Sequence, residues 1–275
     1  MWKFKAPAKI NLFLDVIRRR DDGYHELATL MQKVSLFDEL EYEEAPVFSI
    51  SSSDPDLDRE ADGNLVTRMY RLLLECGVKL PGLKVRLRKN IPIGAGMGGG
   101  SSDAGTFLMS LEKELGIRIP GPARQWICRE TGADVSFFAG PATSAWATGI
   151  GDQIEPVEIT GRFPLLILKP YFPLSTAEVY HALTCGPVPE SQVVALVEAL
   201  NSEDWNGISL NLYNELEQAA ESVRPEIRKY RALVSRMCLG PVMMSGSGSA
   251  FFGFRPKEIY FSPCQDYALY RVNFL

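Results

Sequence analysis

Between Asn90 and Ala104 the chain reads Asn-Ile-Pro-Ile-Gly-Ala-Gly-Met-Gly-Gly-Gly-Ser-Ser-Asp-Ala, with five glycines in the seven residues from Gly94 to Gly100. Glycine accepts positive φ and carries no Cβ, so such a segment can bring its backbone N–H groups against an anion. Upstream, Leu83, Val85 and Leu87 alternate with Lys84, Arg86 and Arg88, the period of a half-buried strand. Downstream, Ser101-Ser102-Asp103 opens a run from Ala104 to Leu115 with the spacing of an amphipathic helix. Strand, glycine loop and helix start together present unpaired N–H groups, and the chemistry they suit is the binding of nucleotide phosphates. A Gly-rich linker is the competing reading, but the strand and helix abut the loop with no polar spacer.

Gly94, Gly96 and Gly99 also satisfy G-x-G-x-x-G, which alone is a weak signal. A dinucleotide fold would follow the loop helix with a strand ending in an acidic residue. Here Pro120-Gly-Pro122 and a second helical stretch, Ala123 to Thr131, come next. Gly100 stands where a Walker loop needs lysine, and no H-R-D or D-F-G of a protein kinase is present.

Other residues could do chemistry. Lys9 follows Pro7-Ala8 and lies among apolar residues with Asn11; a buried lysine needs a partner carboxylate. Tyr24-His25 sits in a glycine-led loop, where it could hydrogen-bond and stack on a planar ring, or His25 could be a satisfied structural histidine. Asp134 lies between a helix end and Phe137-Phe138. It is either a paired, functional carboxylate or a helix N-cap. Ser245-Gly-Ser-Gly248 is a second glycine loop, with a tight β-turn as the simpler reading.

The elements that must position these residues follow in order. Trp2 to Lys5 reads as a strand, broken at Ala6-Pro7, with an apolar stretch from Ile10 to Ile17 and a charged turn from Arg18 to Gly23. Val34 to Tyr42 and Val47 to Ser51 read as strands, Ser52 to Gly63 as an acidic loop, and Asn64-Leu-Val66 as the start of a helix running to about Cys76. After Gly132, Ala142 to Thr148 and Gln153 to Glu158 resemble a hairpin. Leu165 to Leu168 is a short apolar strand, and Ser175-Thr176 caps a helix through Tyr180 to Leu183. Helices are expected over Gln192 to Leu200, about Leu210 to Ala220, and Pro225 to Met237, then a strand from Ala250 to Phe254. The tail after Arg255 has weak periodicity. A boundary between two α+β halves is expected near residue 158.

Composition sets outer limits. The 275 residues are 46% hydrophobic and 23% charged, which suits one large or two modest globular domains. A net charge of −5 argues against a surface built for nucleic acid. No apolar run reaches the roughly 18 residues of a membrane helix. The opening Met-Trp-Lys-Phe-Lys lacks the layout of a secretion signal, and the cysteines (Cys76, Cys128, Cys185, Cys238, Cys264) form no C-x-x-C pair, so a reducing cytoplasm is expected.

Taken together, the motifs resemble the small-molecule kinases of the galactokinase, homoserine kinase, mevalonate kinase and phosphomevalonate kinase superfamily. Within it the pattern is most similar to the 4-diphosphocytidyl-2-C-methylerythritol kinases. That family carries P-A-K-I-N-L, as Pro7 to Leu12 does; G-Y-H-E, as Gly23 to Glu26 does; and G-A-D-V-P-F-F, matched by Gly132 to Phe138 with Ser136 in place of proline. Its phosphate loop is matched by Ile91 to Gly105, with Met97 for leucine and Gly105 for alanine, and its late S-G-S-G loop by Ser245 to Gly248.

The resemblance implies an α+β fold of two domains, a ribosomal-protein-S5-like domain over residues 1–158 and a ferredoxin-like domain over 159–275, with the active site in the cleft between. It implies that ATP, accompanied by Mg2+, phosphorylates the 2-hydroxyl of a cytidyl-diphospho alcohol in non-mevalonate isoprenoid synthesis. Lys9 and Asp134 would be catalytic. Pro92, Ile93, Gly94, Ala95, Gly96, Met97, Gly98, Gly99, Gly100, Ser101 and Ser102 would wrap the ATP phosphates, with Asn64 and Lys89 near the adenine. Tyr24, His25 and Tyr180 would hold the cytosine, and Asn11 would lie near the reacting end. Competing readings are a homoserine- or mevalonate-type kinase of the same superfamily, and a non-catalytic nucleotide- or RNA-binding module.

Overall fold

The computed structural model describes residues 1–55, 57, 63–183, 191–258 and 264–275. The expected acidic loop from Ser52 to Gly63 therefore lies partly outside the described residues. Two compact units form, and neither is a continuous half of the chain. One comprises residues 1–8, 36–91 and 98–142; the other comprises 9–35, 92–97 and 143–275. The chain passes between them inside its first two strands and inside the glycine loop.

In the first unit, β2 (His25–Ala45) pairs antiparallel with β4 (Gly82–Arg88) from Glu39↔Arg88 to Ala45↔Gly82, and β3 (Ser49–Ser52) lies parallel to β4. The alternation of Leu83, Val85 and Leu87 puts these three inward. They meet helices α1 (Leu65–Glu75), α2 (Gly99–Glu114), α3 (Gly121–Thr131) and the one-turn α4 (Val135–Phe138) in a core that includes Tyr42, Met69, Phe107, Leu111 and Ile127.

In the second unit, the leading half of β2 pairs with β5 (Ser144–Thr148), which forms the expected hairpin with β6 (Gln153–Pro156). Strand β1 (Trp2–Arg19) pairs in parallel with the two-residue β8 (Tyr213–Asn214). A four-stranded antiparallel sheet has the order β11-β7-β10-β9, from Tyr267–Asn273, Pro164–Pro170, Phe251–Phe254 and Val242–Met244. Helices α5 (Thr176–His181), α6 (Ser191–Asn201), α7 (Trp205–Asn211), α8 (Glu215–Val223) and α9 (Ile227–Met237) complete this unit. Leu166, Leu168, Val179, Leu216, Tyr230, Val234 and Phe251 share its core.

Three expectations are corrected, and the tail gains an element. Strand β1 does not break at Ala6-Pro7, because proline removes one donor but not the extended backbone. Strand β2 begins at His25 rather than Val34, because Leu30 to Val34 are buried on both faces and show no alternation. The helix expected from Leu210 to Ala220 is cut at Leu212 to Asn214, where Asn214 leaves the helix and its side chain accepts the Leu216 N–H as the N-cap of α8. The unplaced tail supplies β11, paired with β7 from Tyr267↔Pro170 to Asn273↔Pro164.

Gly105 marks a close helix contact in the first unit. A Cβ there would lie 2.6 Å from Phe138 Cβ and 2.8 Å from the Ala139 nitrogen. Where the family pattern has alanine, this chain lets α4 sit directly on the α2 backbone. Gly105→Ala should therefore destabilise the protein by about 1–3 kcal/mol through overpacking, outweighing the helix-propensity gain of about 1 kcal/mol. Urea unfolding of the two proteins measures the difference, and equal or higher stability of the alanine variant would refute the contact.

Candidate active site

The glycine loop is built by exclusion of side chains. Gly94, Gly96 and Gly98 have φ of 62°, 72° and 69°, left-handed backbone at alternate positions. Ala95 and Met97 are buried between them, while Ile93 is half exposed. At Gly96 a Cβ would lie 2.0 Å from the Ser245 carbonyl oxygen, so only glycine fits.

Three bonds hold residues 92–97 within their unit. The Lys9 N–H donates to the Met97 carbonyl at 3.0 Å, the Ser245 hydroxyl to the Gly96 carbonyl at 3.0 Å, and the Ala250 N–H to the Ala95 carbonyl at 3.4 Å. The second glycine loop is thus both readings at once. It is the turn between β9 and β10, closed by Ser245 N–H to Ala250 O at 2.9 Å, and it braces the first loop. Asn214 holds it from behind, donating to the Met244 and Gly246 carbonyls at 2.8 and 2.9 Å.

In the other unit, α2 begins at Gly99, two residues before the serines expected to open it. Gly98 is its left-handed N-cap, and its first backbone bond runs from Ser102 N–H to Gly98 O at 2.8 Å. The N–H groups of Gly99, Gly100 and Ser101 therefore have no acceptor within the helix, and the positive end of the helix dipole adds to them. Ser102 is fully buried and its hydroxyl donates to the Pro7 carbonyl at 2.6 Å, so its side chain anchors β1 to the helix.

The residues expected at the adenine are committed elsewhere in part. Asn64 is buried and its Oδ1 caps α1 by accepting the Val66 N–H at 2.9 Å. The Lys89 side chain is 7% exposed and its ammonium is ion-paired with Asp38 and Asp103, so it presents no free charge to a nucleotide. Burial pushes the Asp103 carboxyl up to about 7, with the nearby Asp38 charge adding and Lys89 opposing.

Lys9 is buried and its ammonium donates to Asn11 Oδ1 at 2.7 Å; Asn11 in turn donates to Thr29 Oγ1 at 2.8 Å, and that hydroxyl donates to the Phe13 carbonyl at 2.7 Å. Asn11 thus orients Lys9 from a fixed network. Asp134 occupies the N-cap position of α4, with φ −76° and ψ −7°, but its side chain makes no capping bond. Lys9 and Asp134 belong to different units.

The structure brings His25 and Tyr180 together, with ring centroids 4.8 Å apart and planes tilted by 36°. Tyr24 beside them is 60% exposed. Burial first, and the Arg19 charge second, lower the His25 pKa, so its ring is neutral at pH 7 and offers one donor and one acceptor. Helix α5, which carries Tyr180, is tied to the second glycine loop by the Thr176 and Ser247 hydroxyls at 2.8 Å.

Sequence reasoning missed Asp38 and the role of Asn214. Both had a signal. Asp38 is in register with inward-facing Leu40 and Tyr42, and Asn214-Glu-Leu-Glu217 has the spacing of a capping box.

The description GHMP kinases N terminal domain belongs to a family model that matches residues 64–140. A 4-diphosphocytidyl-2-C-methyl-D-erythritol kinase from Desulfotalea psychrophila is 39% identical over 259 residues, covering 93% of this chain and 86% of the relative. This chain belongs to the 4-diphosphocytidyl-2-C-methyl-D-erythritol kinase family. A relative with the same description from Syntrophus aciditrophicus is 35% identical over 268 residues, covering 94% of this chain and 91% of its own length. Among solved structures, a crystal structure of 4-(cytidine 5'-diphospho)-2C-methyl-D-erythritol kinase matches with a TM-score of 0.80 at 32% identity, covering 99% of each chain. The α+β fold of this kinase superfamily is thereby established.

The Asp103 carboxyl gives a pH prediction. Its folded pKa of about 7 stands above the unfolded value of about 3.9, so between the two the folded state holds a proton that the unfolded state does not. Its contribution to stability grows as pH falls through 7 and is lost as pH rises through it. Thermal unfolding from pH 8 to pH 5 should show the parent protein gaining on Asp103→Asn with acidification. A pH-independent difference between the two would contradict the assignment.

Proposed function

We infer that this chain is an ATP-dependent kinase that phosphorylates the 2-hydroxyl of 4-diphosphocytidyl-2-C-methyl-D-erythritol, in the non-mevalonate route to isoprenoid precursors. The observation that carries the reading is the 39% identity to a kinase of this description across 93% of the chain. The homoserine- and mevalonate-type alternatives are not favoured, and neither is a non-catalytic module.

The residue roles are proposals that rest on the family pattern and on local geometry. Residues Pro92 to Ser102 cradle the ATP phosphates, which the left-handed glycines and the unpaired N–H groups at Gly99 to Ser101 support. Asp134 accepts the proton of the reacting hydroxyl, the role that the family pattern gives this carboxylate. Lys9, held by Asn11, supplies positive charge as the phosphoryl group moves. Phosphoryl transfer depends on positioning and charge neutralisation, so this small set suffices.

His25 and Tyr180 form one aromatic wall for the cytosine and Tyr24 supplies a second ring; a neutral imidazole can both donate to and accept from a pyrimidine edge. Asn11 borders the reacting end and Asn64 the adenine. Magnesium, which the family pattern implies, would enter with ATP and neutralise phosphate charge. Among the described residues no group of three or more His, Cys, Asp or Glu is placed to hold a metal, and no step here depends on one.

The division at residue 158 into an S5-like and a ferredoxin-like domain is likewise a proposal. The four-stranded sheet of β7, β9, β10 and β11 falls wholly after that point and supports it. No helix among the described residues is long and apolar enough to cross a membrane. A cytoplasmic enzyme with a small-molecule substrate and no nucleic-acid partner fits the free Cys76, Cys128, Cys238 and Cys264 and the net charge of −5.

A coupled ADP-release assay with the cytidyl-diphospho alcohol, homoserine and mevalonate as acceptors tests the substrate. Turnover with either of the latter at a comparable kcat/KM would overturn it. Asp134→Asn should lower kcat by about 10²–10⁴-fold, the range of general acid–base catalysis, with ATP affinity by calorimetry nearly unchanged. Parental turnover in that variant would eliminate the general-base role. Tyr24→Ala should raise KM for the cytidyl substrate about tenfold through lost stacking and leave KM for ATP in place. The opposite split would exchange the two pockets.

A further inference from the structure

The two flanks of the glycine loop are tied to each other by a buried group of charges. Asp38 lies in β2 on the side that Leu40 and Tyr42 bury, and it is fully inaccessible. Its Oδ1 accepts the N–H groups of Asn90 at 2.5 Å and Ile91 at 2.8 Å, the last two residues before Pro92. Its Oδ2 accepts from the Lys89 ammonium, which also donates to Asp103 Oδ2 at 2.5 Å. Asp103 belongs to α2, on the far side of the loop. A Cβ on Gly99 would lie 3.1 Å from Ile91 Cγ2 and 3.5 Å from Asp38 Oδ2, so the helix start packs directly on this group.

The placement has a backbone reason. The β4 ladder ends at the pair Glu39↔Arg88. Asn90 and Ile91 then have N–H groups with no strand to receive them, and an unpaired buried N–H is costly. Asp38 becomes the acceptor at the point where the ladder stops. It turns the chain off the sheet, while Lys89 joins that turn to the outgoing helix. Three ionisable groups in one dry place are a poor source of net stability, since desolvation offsets their attraction. Their effect is geometric: two charge-assisted backbone bonds and one bridging ammonium leave the loop flanks one arrangement.

We propose that Asp38, acting through the Asn90 and Ile91 N–H groups and through the Lys89–Asp103 bridge, is a positioning residue for ATP. It sets the point at which the phosphate loop leaves the sheet and re-enters its helix before nucleotide binds. The Lys89 side chain then serves the loop from below. The proposal rests on the reading of Pro92 to Ser102 as the ATP phosphate loop.

The test uses Asp38→Asn, which keeps an acceptor for the two N–H groups but removes the charge that holds Lys89, and Lys89→Gln, which removes the bridge. Both are measured in the full chain by calorimetry with ATP and by steady-state kinetics in both substrates. Asp38→Asn should weaken ATP binding and raise KM for ATP about tenfold or more, with KM for the alcohol substrate within about twofold, and Lys89→Gln should follow in the same direction. ATP affinity equal to the parent's in either folded variant overturns the proposal, and so does a parallel rise in both KM values, which would mean general loosening. Amide hydrogen exchange on the unaltered, nucleotide-free protein needs no variant to fold. The Asn90 and Ile91 amides should be strongly protected, and rapid exchange at both overturns the proposal. Failure of the unaltered chain to bind ATP would instead refute the functional reading on which this one stands, whatever the amide protection.

Discussion

A phosphate cradle must keep backbone N–H groups without protein acceptors and still hold them in order. Ordinary secondary structure cannot do this, because it achieves order by pairing those groups. In the loop proposed for the ATP phosphates, the chain meets this constraint by fixing what surrounds the donors. Within one unit, residues 92–97 are held through their carbonyl oxygens, by Lys9 N–H, the Ser245 hydroxyl and Ala250 N–H. Within the other, α2 is held through side chains beneath it, by Ser102 on Pro7 and by Lys89 on Asp103. The acceptors are consumed and the donors of the first helical turn are left over.

Buried polar side chains carry much of this work. Asn214 caps α8 with its oxygen and braces the second glycine loop with its nitrogen, so one amide uses both ends on backbone. Asn11 receives the Lys9 ammonium and passes a bond to Thr29. Glu217 accepts the Met244 N–H at 2.9 Å from a position burial makes more basic, and Arg231 balances its charge. None of these groups is a large source of net stability, because each was hydrogen-bonded to water before folding. Each excludes alternative arrangements, since a shifted backbone would leave a buried polar atom unmatched.

The aromatic side of the proposed site follows a different logic. His25 and Tyr180 come from residues far apart in the chain and meet without the aid of a ladder bond. The Thr176–Ser247 contact links the Tyr180 helix to the loop that braces Gly96. Ring position and loop position are thus set by the same segment, Ser245 to Gly248, and a change there would be felt by both.

The sequence by itself determined the loop with its flanking strand and helix, because glycine content and period-2 alternation are local properties. Family resemblance added the reaction, since five motifs in register leave few other readings. Only the tertiary structure decided where elements begin and end against their propensity. Helix α2 starts in glycines because no Cβ fits freely beside Ile91. Strand β1 passes through Pro7 because its backbone stays extended there. The helix near Asn214 breaks because the Met244 and Gly246 carbonyls take that side chain. Asp38 and Lys89 show the same limit. Their types and positions were visible, but that this carboxylate would accept N–H groups 52 and 53 residues later, just past the ladder's last pair at Glu39↔Arg88, depends on which strands pair. Pairing is a property of the folded chain, and no local pattern encodes it.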